Sequence, residues 1–85
     1  METKYIKIPF TKIDSDAFLE LDMKTQLYFF YLCTYADSNG KVRNPKAIAR
    51  GLNIPEETVG ELIRKGYISY ELLPKDGVEI NGIND

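Results

Sequence analysis

Eighty-five residues make one domain and are too few for two. With 44% hydrophobic and 12% aromatic residues, the chain can bury a single core without staples. It has one cysteine, Cys33, and no histidine, which excludes an internal disulfide and a zinc site built from several Cys or His ligands. Cys33 lies in an apolar run and reads as a buried, inert thiol. No apolar stretch of the kind a signal peptide carries follows Met-Glu-Thr-Lys. The longest apolar run, Leu27 to Cys33, is far short of the ~20 residues of a membrane span. The expectation is a soluble, cytoplasmic protein that does not engage a membrane.

The net charge of −2 argues against a nucleic-acid partner, but the charges are unevenly placed. Between residues 37 and 50 stand four cations, Lys41, Arg43, Lys46 and Arg50, against one acid, Asp37. This basic island interrupts an otherwise acidic chain.

Taken in chain order, residues 4–10 predict a short extended segment, with Pro9 forcing an edge or an end. Ser15 or Asp16 can cap a short helical turn reaching Leu21. Asp22 is a natural N-cap for a long helix over about 23–36. Leu27, Phe30, Tyr31 and Thr34 fall on one face of that helix. Tyr28, Phe29, Leu32 and Tyr35 occupy the others, so it is apolar almost all round, the pattern of a helix buried on more than one side.

Asp37-Ser38-Asn39-Gly40 is turn chemistry, and Lys41-Val42-Arg43 is a stub of strand. Asn44-Pro45 is an N-cap followed by proline at the first helical position, opening a short helix to about Arg50 or Gly51. After a tight turn at Asn53, Pro55-Glu56-Glu57 starts another helix with acids at its positive end. Arg64 and Lys65 close that helix, and Gly66 is a good residue just past its end. Tyr67 to Leu73 is β-rich, Pro74-Lys75-Asp76-Gly77 turns, and Val78-Glu79-Ile80 returns as a strand.

This order predicts an α+β, mainly α chain folded as a single winged helix-turn-helix domain over 1–85. It comprises a three-helix core, a short N-terminal strand, a helix-turn-helix at about 45–65 and a C-terminal hairpin wing at about 67–81. Helices crossing steeply need a small residue at the crossing and apolar residues on the facing sides. Ala49 supplies the first. Ile48 and Leu52 face inward from one helix, Ile54 plugs the turn, and Val59 and Leu62 face inward from the other. Asn53 holds the turn where left-handed backbone is wanted. A plain three-helix bundle shows similar spacing, but the hairpin that follows disfavours it.

In this motif the second helix enters the major groove and reads base edges. Its outward positions here are Glu56, Glu57, Thr58, Gly60, Glu61 and Arg64, three of them acidic. Carboxylates facing phosphates oppose association and forfeit counterion release. Phosphate contacts from the basic island are the other route, through Lys41, Arg43, Lys46 and Arg50. Thr58, Arg64 and Lys65 from the second helix and Lys75 from the wing complete the candidate DNA-binding set. If parts of the apolar helix stay exposed, or lie under the N-terminal segment, Tyr5, Tyr28, Phe29 and Leu32 are candidates for an oligomer contact. Asp14 with Asp16, and Glu56 with Glu57, read as helix-start residues. With no phosphate-cradling glycine loop and no nucleophile beside a base, the chain does not read as an enzyme. No cofactor or metal is implied.

Several blocks together resemble the N-terminal domain of phage replisome organizers and related DnaD-like replication initiation proteins. They are Ser15-Asp16-Ala17-Phe18-Leu19, Thr25-Gln26-Leu27-Tyr28-Phe29, Asp37-Ser38-Asn39-Gly40-Lys41-Val42, Asn44-Pro45-Lys46-Ala47-Ile48-Ala49-Arg50 and Glu61-Leu62-Ile63-Arg64-Lys65-Gly66-Tyr67-Ile68. The resemblance covers roughly residues 5–80. It implies a winged-helix fold, a role in starting replication of phage or prophage DNA, self-association as a homodimer or higher oligomer, and contact with other replication proteins. Its acidic third helix departs from direct base reading. A protein-interaction or oligomerisation module with the same fold and no DNA binding of its own is the competing expectation.

Overall fold

The computed structural model describes residues 6–70 and 77–82. Within them the chain forms α1 (Phe10–Ile13), α2 (Asp16–Leu19), α3 (Met23–Tyr35), β1 (Lys41–Val42), α4 (Pro45–Gly51), α5 (Glu57–Arg64), β2 (Ile68–Tyr70) and β3 (Val78–Ile80). This is a small α+β domain, mainly helical, with one three-stranded antiparallel sheet in the order β1-β3-β2.

The segment before α1 differs from expectation. Residues 6–9 form no strand, and β1 is the 41–42 stub instead. The Pro9 carbonyl accepts from the Lys12 and Ile13 amides at 2.9 and 3.3 Å. The fixed φ of proline thus opens a helical turn. Ser15 caps α2 by accepting from the Phe18 amide, and Asp22 caps α3 by accepting from the Lys24 amide. The Gln26 side-chain nitrogen lies 2.9–3.3 Å from the carbonyls of Phe18, Leu19 and Leu21. It thereby gives the exposed end of α2 a donor and ties it to α3.

α3 is the central element, packing against β1, α4 and α5. It buries Thr25, Tyr28, Phe29, Leu32 and Cys33. Phe18, Phe29 and Tyr67 form a triangle of edge-to-face rings with centroids 5.7 Å apart, and Phe30 joins it from the rim. Such pairs add about 0.5–1.5 kcal/mol each beyond the area they bury. Burial pushes the Cys33 thiol up to about 11, which keeps it protonated and unreactive at neutral pH.

In the sheet, Val42, Ile68, Val78 and Ile80 turn into the core. Ser69, Glu79 and Lys41 lie side by side across the three strands, which sets the Lys41 and Glu79 charges opposite one another. Asn81 locks the hairpin base. Its amide side chain donates to the Gly66 carbonyl, and its oxygen accepts from the Ser69 hydroxyl. The hairpin tip, with the expected turn at Pro74-Lys75-Asp76, lies outside the described residues.

α4 and α5 end in the same way. Asn53 takes left-handed backbone at φ 59, with the Asn53 amide donating to Arg50 and the Ile54 amide to Ala49. Gly66 does so at φ 84, with the Gly66 amide donating to Ile63 and the Tyr67 amide to Leu62. Both are Schellman closures. Each is followed by an apolar residue, Ile54 or Tyr67, that turns into the core. A Cβ at Gly66 would meet nothing within 4 Å, so Gly66→Ala strains only the backbone. We expect a loss of about 1–2 kcal/mol, seen as a fall in Tm of about 5–10 °C for a domain of this size. Asn53→Gly, measured the same way, is expected to cost almost nothing.

Candidate nucleic-acid interface

The α4–α5 pair is fixed from below. Ala49, Ile54, Val59 and Leu62 are buried, and Ile48 and Leu52 pack partly buried against them, as their spacing predicts. The Tyr28 hydroxyl, fully buried on α3, donates to the Pro45 carbonyl in the first turn of α4. Burial raises the Tyr28 phenol well above its ordinary value, so this donor keeps its proton. Asn44 precedes α4 in left-handed backbone at φ 53 and makes no side-chain cap bond. Proline at 45 disfavours right-handed helical backbone in the residue before it, and the turn there sends Arg43 and Lys46 outward, both exposed.

The loop ahead of β1 is equally ordered. The Asp37 carboxylate accepts from the amides of Lys41 at 3.0 Å and Asn39 at 2.8 Å. These bonds, the Lys41 one foremost, hold it below the usual carboxylate range, helped by the charges of Lys41 and Arg43. Because its pKa is lowered on folding, the contribution of Asp37 to stability is present above the unfolded value and fades as pH falls through the folded one.

Two open grooves flank α4. One, of about 290 Å³, is lined by Asn44, Pro45, Lys46, Ala47, Arg50, Val59 and Tyr70. The other, of about 360 Å³, is lined by Tyr35, Arg43, Asn44, Ala47, Ile48, Gly51 and Leu52. Asn44 and Ala47 belong to both, so the grooves adjoin over the exposed side of α4. Among the described residues no acid lines either one, although Glu56 is ion-paired to Arg50 at the rim of the first. Arg43 and Lys46 are the described groove cations for which no ion pair is seen, and Arg50 is paired with Glu56.

The expected site residues separate into groups. Arg43, Lys46 and Arg50 come together around the grooves. Lys41 is on the neighbouring strand opposite Glu79. Arg64 ends α5 and Lys65 caps it, with the Lys65 ammonium bridging Glu61 at 3.1 Å. Arg50 is held in an exposed ion pair with Glu56. Thr58 is a correction. It is only 8% exposed because it lies one helical turn before Leu62 and shares that inward face, so it is not placed to meet DNA. Lys75 and Tyr5 lie outside the described residues.

The oligomer residues are a second correction. Tyr28, Phe29 and Leu32 are 0% exposed and belong to the core, since the other elements pack on that side of α3. What α3 exposes instead is a four-residue-spaced row, Met23, Leu27, Tyr31 and Tyr35, with Leu19 exposed just before it. Tyr35 and Tyr70, 62% and 63% exposed, are groove residues that sequence reasoning missed. Nothing local marks them, because their role depends on where α3 and β2 end relative to α4.

The Arg50–Glu56 pair makes a sharp prediction. Exposed pairs are worth at most about 1 kcal/mol, so Glu56→Gln should leave folding almost unchanged and release the guanidinium. Any DNA affinity carried by this face is then expected to rise about 3- to 10-fold, the gain from up to one more phosphate contact at low salt, measured by fluorescence anisotropy on a labelled duplex.

No group of three or more His, Cys, Asp or Glu side chains suited to a metal ion occurs among the described residues. No described helix is long and apolar enough to cross a membrane. Compared with known proteins, the chain matches no family model, and neither a curated protein nor a solved structure matches it significantly.

Proposed function

We propose that this chain is a winged helix-turn-helix DNA-binding module, non-enzymatic and cytoplasmic, of the replisome-organizer kind that starts replication of phage or prophage DNA. In this reading α4 and α5 are the helix-turn-helix, and β2 and β3 are the wing. The observation that carries the DNA-binding part is the pair of grooves over α4 that Arg43, Lys46 and Arg50 line, with no acid among their described lining residues. The element order and the sheet in which the 41–42 stub joins the hairpin favour the winged architecture. The resemblance of the ordered sequence blocks supports the replication role.

The pose differs from the usual one. α5 exposes Glu57 and carries Glu56 and Glu61 in ion pairs, so it makes a poor reader of bases. The first helix of the pair faces the phosphates instead, and binding is largely independent of sequence. The test is anisotropy of a labelled random duplex titrated at several salt concentrations. Two phosphate contacts, by Arg43 and Lys46 with Arg50 paired to Glu56, predict that log affinity falls against log salt with a slope of about −2. Absence of binding at about 50 mM salt, where a phosphate-held complex is tight, rejects the reading.

A second reading, self-association, is favoured by the exposed row Met23, Leu27, Tyr31 and Tyr35. Spacing by four makes it an i±4n ridge, the surface feature that packs helix on helix. If this row joins two copies, sedimentation equilibrium gives twice the 9.7 kDa chain mass, and Leu27→Glu returns it to the monomer. A monomer mass at high micromolar concentration overturns this second reading.

A further inference from the structure

We infer that the grooves over α4 take single-stranded DNA in preference to duplex; this rests on the proposed DNA-binding role of the same face and specifies its ligand. Tyr70 lines one groove together with Lys46 and Arg50, and Tyr35 lines the other together with Arg43. The two grooves meet at Asn44 and Ala47. The surface therefore runs from one exposed phenol ring, across cations, to a second exposed phenol ring. Neither ring is among the aromatic pairs of the core, and both are nearly two-thirds exposed.

A duplex offers phosphates to such a surface but keeps its base faces stacked inside. An unpaired strand offers both. Its backbone phosphates meet Arg43 and Lys46, and Arg50 where they displace Glu56, while bases on either side stack on Tyr70 and Tyr35. Alternating cations and aromatic platforms is the arrangement by which proteins hold unpaired strands without reading sequence. Among the described lining residues, the tyrosines at both ends are accompanied by cations, apolar groups and Asn44, a setting that suits a stacked base beside a phosphate.

The test compares a fluorescein-labelled oligothymidine of about 15 nucleotides, near the upper end of single-strand site sizes, with a duplex of equal length, using the whole chain. The single strand is expected to bind more tightly. Tyr70→Ala and Tyr35→Ala should each weaken single-strand binding about 5- to 100-fold and leave duplex binding unchanged. Tyr70→Phe and Tyr35→Phe should retain it, because the ring and not the hydroxyl carries the stack. If duplex binds at least as tightly, or if both alanine variants hold the single strand as well as the parent, the inference is overturned while the DNA-binding reading stands. If neither probe binds the parent chain, both fall together.

Discussion

Reversing charge at Arg43 and Lys46 together is expected to remove DNA binding almost completely. Each phosphate contact contributes about 0.9 to the slope of log affinity against log salt. At about 50 mM salt, two contacts then amount to roughly a 200-fold factor before any repulsion from the new carboxylates. Arg43→Glu/Lys46→Glu should therefore bind at least about 100-fold more weakly, with the salt slope reduced by about 2. Both side chains are exposed and border open grooves, so the fold should survive, and an unchanged thermal midpoint would show that it has. A double variant that binds as well as the parent would move the interface elsewhere on the domain.

The second large effect is on stability. Phe29 is fully buried and stacks edge-on against both Phe18 and Tyr67. Phe29→Ala removes these two ring contacts and a third with Phe30 and leaves a cavity beneath α2 and the hairpin base, a loss of about 3–5 kcal/mol. A domain of this size has only about 4–13 kcal/mol in total. The variant is thus expected to be largely unfolded at 37 °C, with its urea midpoint at 25 °C reduced by about half. Leu27→Ala, two residues earlier on the exposed side of the same helix, should stay within about 0.5 kcal/mol of the parent. Equal effects at the two positions would contradict the burial that separates them.

These two positions also show where the sequence is legible. Ser15, Asp22, Asn53 and Gly66 act through bonds to backbone only a few residues away, so their capping and turn roles can be read without knowing the fold. The helix pair is legible for a related reason, since Ala49, Ile54, Val59 and Leu62 combine size and spacing within one short stretch. The direction of α3 is not legible. Large apolar residues surround it, so no stripe says which side turns inward, and only the packing of β1, α4 and α5 decides that Tyr28, Phe29 and Leu32 are core. Thr58 is the milder case, for its place one turn before Leu62 outweighs its position among outward acids. The basic island is visible as charge in the chain, but its pairing with Tyr35 and Tyr70 is not. Those tyrosines end α3 and β2, elements distant in sequence that both reach the grooves beside α4. The expectation of a strand before Pro9 fails because among the described residues both edges of the sheet are supplied by other segments, β1 and β2.

In the proposed complex the face of α4, and not that of α5, meets DNA. Amide chemical-shift mapping of the isotope-labelled chain, titrated with a short DNA, tests it most directly. The largest shifts are expected on residues 43–51, with Tyr35 and Tyr70 joining them on single-stranded DNA. Shifts concentrated instead on Glu57, Gly60 and Arg64 of α5, or on the Met23, Leu27 and Tyr31 side of α3, would contradict it.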